Sequence, residues 1–218
     1  MSEPAFLDMP AMKIPVRYEA DIVVVGAGPG GFAAALQSAR MGAKVVLVER
    51  LDMPGGVHTS GFQGSANEGV GGIHTELMER FAREGYIYVA NEQNPPDWAG
   101  NPLSHYERMK EPGSAFSRMT FNPEGAGCIM AEMLEEAGVL ALYGATFVDC
   151  LVEPGNGDAR ISAIIVENVD GRFAIRGDIF VEGSGAGLLA ARAGAPFVAG
   201  GGGQPDTADW DGGNRPIP

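Results

Sequence analysis

The chain has 218 residues, 45% hydrophobic and 20% charged, enough for one generous domain or a domain plus part of a second. Its formal net charge is −13, and Lys13, Lys44 and Lys110 form no basic run, which argues against nucleic acid or an anionic membrane surface as a partner. No apolar run approaches the ~20 residues of a membrane span, and the first twenty residues lack the basic-then-apolar pattern of a secretory leader, so a cytoplasmic location is expected.

Residues 1–19 read as an extended, Pro-interrupted leader, and a single domain is expected from 20 to 198. "DIVVV" at 21–25 is a β-branched run of the kind buried on both faces of a parallel sheet, and "VVLVE" at 45–49 is its partner. Between them, Gly26-x-Gly28-x-x-Gly31 opens a helix whose small residues, Gly31, Ala35, Ala39 and then Gly42, are expected to face the sheet. A lone GxGxxG carries little weight in a chain with 33 glycines. It carries more between an apolar strand and a helix. Gly26 permits the tight turn, Gly28 lets a pyrophosphate approach the backbone, and Gly31 lets helix and strand pack closely. Ala27, Pro29 and Gly30 complete the turn, which offers free N–H groups and the positive end of the helix dipole to phosphates.

Glu49 ends the second strand, 18 residues beyond Gly31. A carboxylate there accepts hydrogen bonds from both hydroxyls of an adenosine ribose and repels a 2′-phosphate, which disfavours NADP. NAD and FAD share the fingerprint and both stay open at this point. So does a purely structural Gly-rich corner with a surface Glu.

Further along, "IHTELMERFARE" at 73–84 places Ile73, Leu77, Met78 and Phe81 at helical spacing, and Gly85 stops that helix. Residues 86–118 are rich in Pro, Asn and Gly and too long for an ordinary connection, so a lid-like or poorly ordered loop is expected there. "NPEGAGCIMAEMLEEAGV" starts with an Asn cap, a Pro at N1 and a Glu in the first turn, and runs as a helix to Gly138. Three β-like runs follow at 145–153, 161–168 and 172–181, joined by turns at "PGNGD" and "VDG". This 145–181 region predicts a three-stranded β-meander in place of a crossover helix. The Gly-rich acidic tail at 199–218 has too little apolar surface to fold alone. The expected fold class is α/β: a doubly wound, Rossmann-like parallel sheet with the meander inserted.

After Glu49-Arg50 comes "LDMPGGVHTSGFQG". The run "VVLVERLDMPGGVHTSG", followed in order by "GVGGIHTELMERFAREG", "TFNPEG" and "FVEGSGAGLLAARAGAPF", resembles successive blocks of the FAD-dependent oxidoreductase family, over residues 20–198. The resemblance implies FAD as cofactor, and an NAD-linked dehydrogenase would leave these later blocks unexplained. It further implies that Arg50 and Thr59 bind the cofactor and that the Gly55-Gly56 turn passes close to its ribityl–phosphate region. Backbone at Phe147 or Val148 would meet the adenine edge, and Gly183, Ser184 and Gly185 would complete the pocket. The chain departs from the family at Ala186, where a second acid is usual, and its tail does not resemble the expected continuation into a substrate domain.

A flavin carries out hydride or electron transfer itself, so few protein groups are candidates for catalysis. His58, directly after Gly55-Gly56-Val57, is the best placed to approach the flavin ring, where it would orient a substrate, supply a proton or carry a covalent link; a hydrogen-bonded His58 without a catalytic role stays open beside these. His74 and His105 have no companion acid or base at motif spacing and read as structural or solvated. Cys128 and Cys150 form no CxxC, no metal cluster stands out, and "GSGAG" at 183–187 is not a nucleophile elbow. The sequence therefore predicts an FAD-dependent oxidoreductase acting on a small molecule with a separate electron acceptor, both unidentified. The alternative is a truncated, non-catalytic FAD- or ADP-binding module.

Overall fold

A computed structural model describes residues 11–66, 71–88, 119–154 and 159–197. Its centre is a six-stranded mixed sheet in the order β6-β2-β1-β9-β8-β7. Strand β1 (Val16–Val25) pairs in parallel with β2 (Val45–Val48) on one side and with β9 (Gly171–Glu182) on the other. On the far side of β2 lies β6 (Leu140–Leu142), also parallel. The expected meander is present as β7 (Thr146–Pro154), β8 (Ala159–Asn168) and β9, paired antiparallel. Its last strand turns into the parallel set beside β1, so three consecutive strands do the work of a helical crossover.

The β-branched runs explain why the central strands sit where they do. Val24, Val45 and Leu47 face one core, where α1 (Pro29–Arg40), α2 (Ile73–Arg83) and α3 (Pro123–Glu136) bury Phe32, Leu36, Met78, Phe81, Met130, Met133 and Leu134. Val23, Val25, Val46 and Val48 face the opposite core, against Ile164, Val166, Phe173 and Ile175 of the meander and Leu189 of α4 (Leu188–Arg192). Alternate residues of one strand thus feed two cores, as a strand covered on both faces requires.

Three charged contacts hold the helices together. Glu76 of α2 accepts from Arg40 at the end of α1 at 2.7 Å, and Arg80 bridges Glu76 at 3.1 Å and Glu136 at the end of α3 at 2.7 Å. A small second sheet, β3 (Ser65–Ala66), β5 (Met119–Phe121) and β4 (Ile87–Tyr88), sits beside α2 and α3.

Several expectations need correction. The strand expected at 21–25 begins at Val16, because Val16–Ala20 pair with β9, so the leader read at 1–19 ends inside the sheet. Gly42 is not on the sheet-facing stripe: it is exposed at φ +93° in the turn that ends α1. Residues 87–88 of the expected loop form β4. Residues 89–118 of that loop with His105, the "PGNGD" turn beyond Pro154 and the 199–218 tail lie outside the described residues, as do residues 1–10 of the leader. Among the described residues no helix is long and apolar enough to cross a membrane.

Candidate functional site

A cavity of about 930 Å³ opens at the carboxyl ends of β1, β2 and β9. In an open α/β sheet this edge is where chain crossings leave a crevice. Its walls come from the Gly26–Gly30 turn, Glu49–Leu51, the Gly56–Gly61 loop, Ala145–Phe147 and the Glu182–Ala186 segment.

The three fingerprint glycines have separate physical reasons. Gly26 sits at φ +94°, and a Cβ there would come within 2.6 Å of the Gly183 and Ser184 backbone. A Cβ on Gly31 would collide with the carbonyl oxygen of Gly26, so the close approach of α1 to β1 needs glycine. Gly28 differs from both. Its φ is −59°, which any residue adopts, and a Cβ would meet only the Gly183 oxygen, at 3.6 Å. At Gly30 a Cβ would meet nothing within 4 Å. Folding does not demand glycine at 28 or 30, and the space they leave faces the cavity.

That space adjoins the N-terminus of α1. Pro29 stands at the start of the helix, no side chain caps it, and its first turn holds no acid. The end of the dipole is left open toward the cavity.

Glu49 is buried, 5% exposed, on the cavity wall. Its two carboxylate oxygens accept from the backbone N–H groups of Ala27 at 2.6 Å and Leu51 at 2.8 Å. These bonds fix the carboxylate against the glycine turn and leave each oxygen a further lone pair. Tyr143 lies nearby in the β6–β7 connection; burial, with the Glu49 charge adding to it, pushes its phenol up to about 12.

The Gly56–Gly61 loop is strapped to the turn. Gly55 N–H donates to Ala27 C=O at 2.7 Å, and a Cβ on Gly56 would lie 3.0 Å from the Cα of Gly28. On the far side, Gly183 N–H donates to Val25 C=O, and Glu182 accepts from the N–H groups of Ser184 and Leu189, both at 2.6 Å. Glu182 thus closes its own loop onto the start of α4.

Of the residues singled out from sequence, Gly26, Gly28, Pro29, Gly30, Glu49, Arg50, Gly56, Phe147, Gly183, Ser184 and Gly185 line the cavity. Ala27 and Gly31 shape it from behind. Four do not fit the expected positions. Thr59 is 1% exposed and its hydroxyl donates to Pro54 C=O at 2.6 Å, inside the loop. Gly55 is buried against Thr59 and Met130, so its lack of a side chain serves the loop at φ +104°. Val148 falls in a β-bulge between Phe147 and Asp149 and is absent from the wall. His58 also is not on the wall: its Nδ1 lies 3.3 Å from Gln63 C=O, and its ring packs edge-on against Phe121 with centroids 5.9 Å apart. The expectation that His58 is the group best placed toward a flavin is therefore not met in this conformation.

The sequence reading missed Ser60, Gly61, Ala145 and Thr146, all on the wall. Only their position in the "GGVHTSG" block and at the start of the meander hinted at them. Among the described residues no group of three or more His, Cys, Asp or Glu side chains is arranged to hold a metal ion.

The family model described as "FAD dependent oxidoreductase" matches residues 21–209. The chain belongs to this family. FAD is accordingly its cofactor, and the open cradle at Gly28 and Gly30 beside an uncapped helix end fits that group. The chain is 29% identical over 158 residues to a probable electron transfer flavoprotein-quinone oxidoreductase of Escherichia coli, covering 67% of this chain and 32% of that protein. Among solved structures, THI4 of Thermovibrio ammonificans matches with a TM-score of 0.53 at 19% identity, covering 80% of this chain and 61% of that one. A geranylgeranyl bacteriochlorophyll reductase-like protein of Thermoplasma acidophilum matches with a TM-score of 0.54 at 18% identity, covering 81% and 42%. Both share the fold. The matched region spans about a third of the E. coli protein and under two thirds of either solved chain.

Proposed function

We propose that this FAD-dependent oxidoreductase binds its cofactor along the carboxyl edge of the sheet and acts on a small molecule, with a separate acceptor or donor closing the cycle. Bound FAD supplies the hydride or electron transfer. The chain's own residues hold and orient it. The α1 N-terminus and the Gly28–Gly30 cradle receive the diphosphate, Glu49 accepts from the adenosine ribose, and Ala145–Phe147 flank the adenine end. Gly56 and the Gly183–Gly185 segment enclose the middle of the cofactor. The observation that carries this reading is the pairing of an uncapped, acid-free helix end with two glycines whose lack of a side chain no contact in the fold requires. A preorganised set of donors at such an end favours a doubly charged diphosphate.

A second reading, an FAD- or ADP-binding module without turnover, is favoured by the placement of His58 against Phe121, which leaves no histidine among the described residues on the cavity wall. Purification separates the two. The oxidoreductase reading expects yellow protein, bleached by dithionite and reoxidised by an added acceptor such as a quinone or dye. Protein that binds FAD yet stays bleached with every acceptor class supports the module. Colourless protein that gains no thermal stability from FAD or ADP contradicts both.

A further inference from the structure

One residue at the rim of the cavity is held in a conformation that the fold does not explain. Among the described residues Phe62 is the one non-glycine residue at positive φ, +56°. That left-handed region disfavours a bulky side chain, and glycine or asparagine fills such a turn more readily. Burial does not offset the strain: Phe62 is 75% exposed, and its ring stacks on no other ring among the described residues.

The loop closes on its backbone without using that ring. Thr59 and Gly61 N–H groups donate to Gly56 C=O at 3.2 and 2.9 Å. Phe62 N–H donates to Thr59 C=O and Gln63 N–H to Val57 C=O, both at 2.9 Å. Val57, Ser60 and Gly61 line the cavity, so Phe62 follows directly where the wall ends. Val57 is itself exposed, which puts two apolar side chains on one short loop. From Met53 to Ala66 the chain holds no Asp, Glu, Lys or Arg, and His58 is turned onto Phe121. The rim thus offers an aromatic face, an aliphatic one and no charge. Strained residues that the surrounding backbone holds in place concentrate at functional sites, and an exposed ring binds a second flat apolar surface by stacking.

We propose that Phe62 is a specificity-determining residue whose ring, together with Val57, receives a planar, uncharged, apolar reactant that exchanges electrons with the flavin. The assignment rests on the FAD-dependent oxidoreduction proposed above. A charged reactant finds no partner on this rim and loses part of its hydration there, so the loop selects by charge as well as by shape.

The test takes the FAD-loaded chain, reduces it with dithionite in the absence of oxygen, and mixes it with menadione or with ferricyanide. Menadione is flat and apolar; it takes two electrons and two protons from the reduced flavin and leaves as the hydroquinone. Ferricyanide is a compact anion without a flat face, and two of them take one electron each while two protons go to solvent. Phe62→Gly removes the ring and suits the backbone, so the apo melting temperature is expected to stay the same or rise. Saturation with menadione is expected at about 5–10-fold higher concentration in the variant, the range for loss of one aromatic contact. FAD affinity and the ferricyanide rate match wild type, and Phe62→Trp restores the menadione value. Equal menadione saturation in wild type and Phe62→Gly overturns the assignment, as does a wild-type rate that never saturates. A parallel loss with both acceptors, a matching loss of FAD affinity or a lowered apo melting temperature identifies a structural or cofactor-holding ring and also overturns it. If ferricyanide reoxidises wild type, these failures touch Phe62 alone; if neither acceptor does, the oxidoreductase reading fails and the Phe62 assignment with it.

Discussion

Helices α1 and α3 begin alike and are finished differently. Both have a proline in the first turn, which pre-sets φ and has no N–H to leave unpaired. At α3 the chain completes the job: the Asn122 side chain accepts from Glu124 N–H at 2.9 Å and Gly125 N–H at 3.1 Å, and Glu124 adds a negative charge to the first turn. At α1 there is a glycine where the capping side chain would be, no acid in the first turn, and a cavity in front. The same sequence contains both solutions, so the open end of α1 is not a shortage of capping residues. On the reading proposed above, that end is left for the cofactor's diphosphate to finish.

The largest effect is expected where the protein itself needs the glycine. Gly31→Ala pushes a methyl group into the Gly26 carbonyl, and loss of α1–β1 packing should cost about 3 kcal/mol or more, read as a steep drop in soluble, cooperatively melting protein. Gly28→Glu is the converse. Its backbone accepts a side chain, so the apo melting temperature should move by no more than about 2–4 °C, the equivalent of ~1 kcal/mol for a chain of this size. A carboxylate at the mouth of the cradle should nevertheless weaken FAD by about 100-fold or more through like-charge repulsion with the diphosphate. If the two substitutions behave the same way, the distinction between fold glycines and ligand glycines is broken.

Asn122→Ala sharpens the comparison from the other helix. Removing a side-chain cap costs about 1 kcal/mol, read as a lower denaturant midpoint, while FAD affinity stays within error of wild type. Smallest of all is Glu76→Gln. Its ion pairs with Arg40 and Arg80 are partly exposed, so the loss should be within about 1 kcal/mol and shrink as salt is added. The hydrogen-bonded Arg40 guanidinium holds the Glu76 carboxyl below its ordinary 4.5, against the opposing effect of burial. Its folded value is therefore depressed. The stabilisation is fully present above about pH 4.5 and falls away as pH drops through the lower, folded value. Acid titration of stability should show wild type and Glu76→Gln converging below that range.

Much of the fold was written in patterns that are hard to misread. "DIVVV" and "VVLVE" are too β-branched to be surface, the helix at 73–84 carries its own stop at Gly85, and "NPEG" spells out a capped start that the Asn122 bonds reproduce. Val16–Ala20 were less legible because their side chains are exposed or half-buried, so they lack an apolar run although their backbone is paired with β9. The small β3-β5-β4 sheet escaped because strands of two and three residues are too short to show a period of two. In the site, backbone-determined positions such as Gly26, Gly31 and Gly183 were readable, since a missing Cβ leaves a mark in the sequence. Side-chain direction was not. His58, Thr59 and Ser60 are consecutive, and the turn on Gly56 sends them to Phe121, to Pro54 and to an unpaired position on the cavity wall. Sequence places them in one loop without saying which one faces the ligand.

The central claim concerns what completes the α1 end, and a crystal structure of the chain with FAD tests it most directly. The account predicts the diphosphate within hydrogen-bond distance of the backbone N–H groups of Gly30 and Gly31, with the Glu49 carboxylate on the adenosine ribose. A diphosphate bound elsewhere, with the first turn of α1 capped by solvent alone, would contradict it.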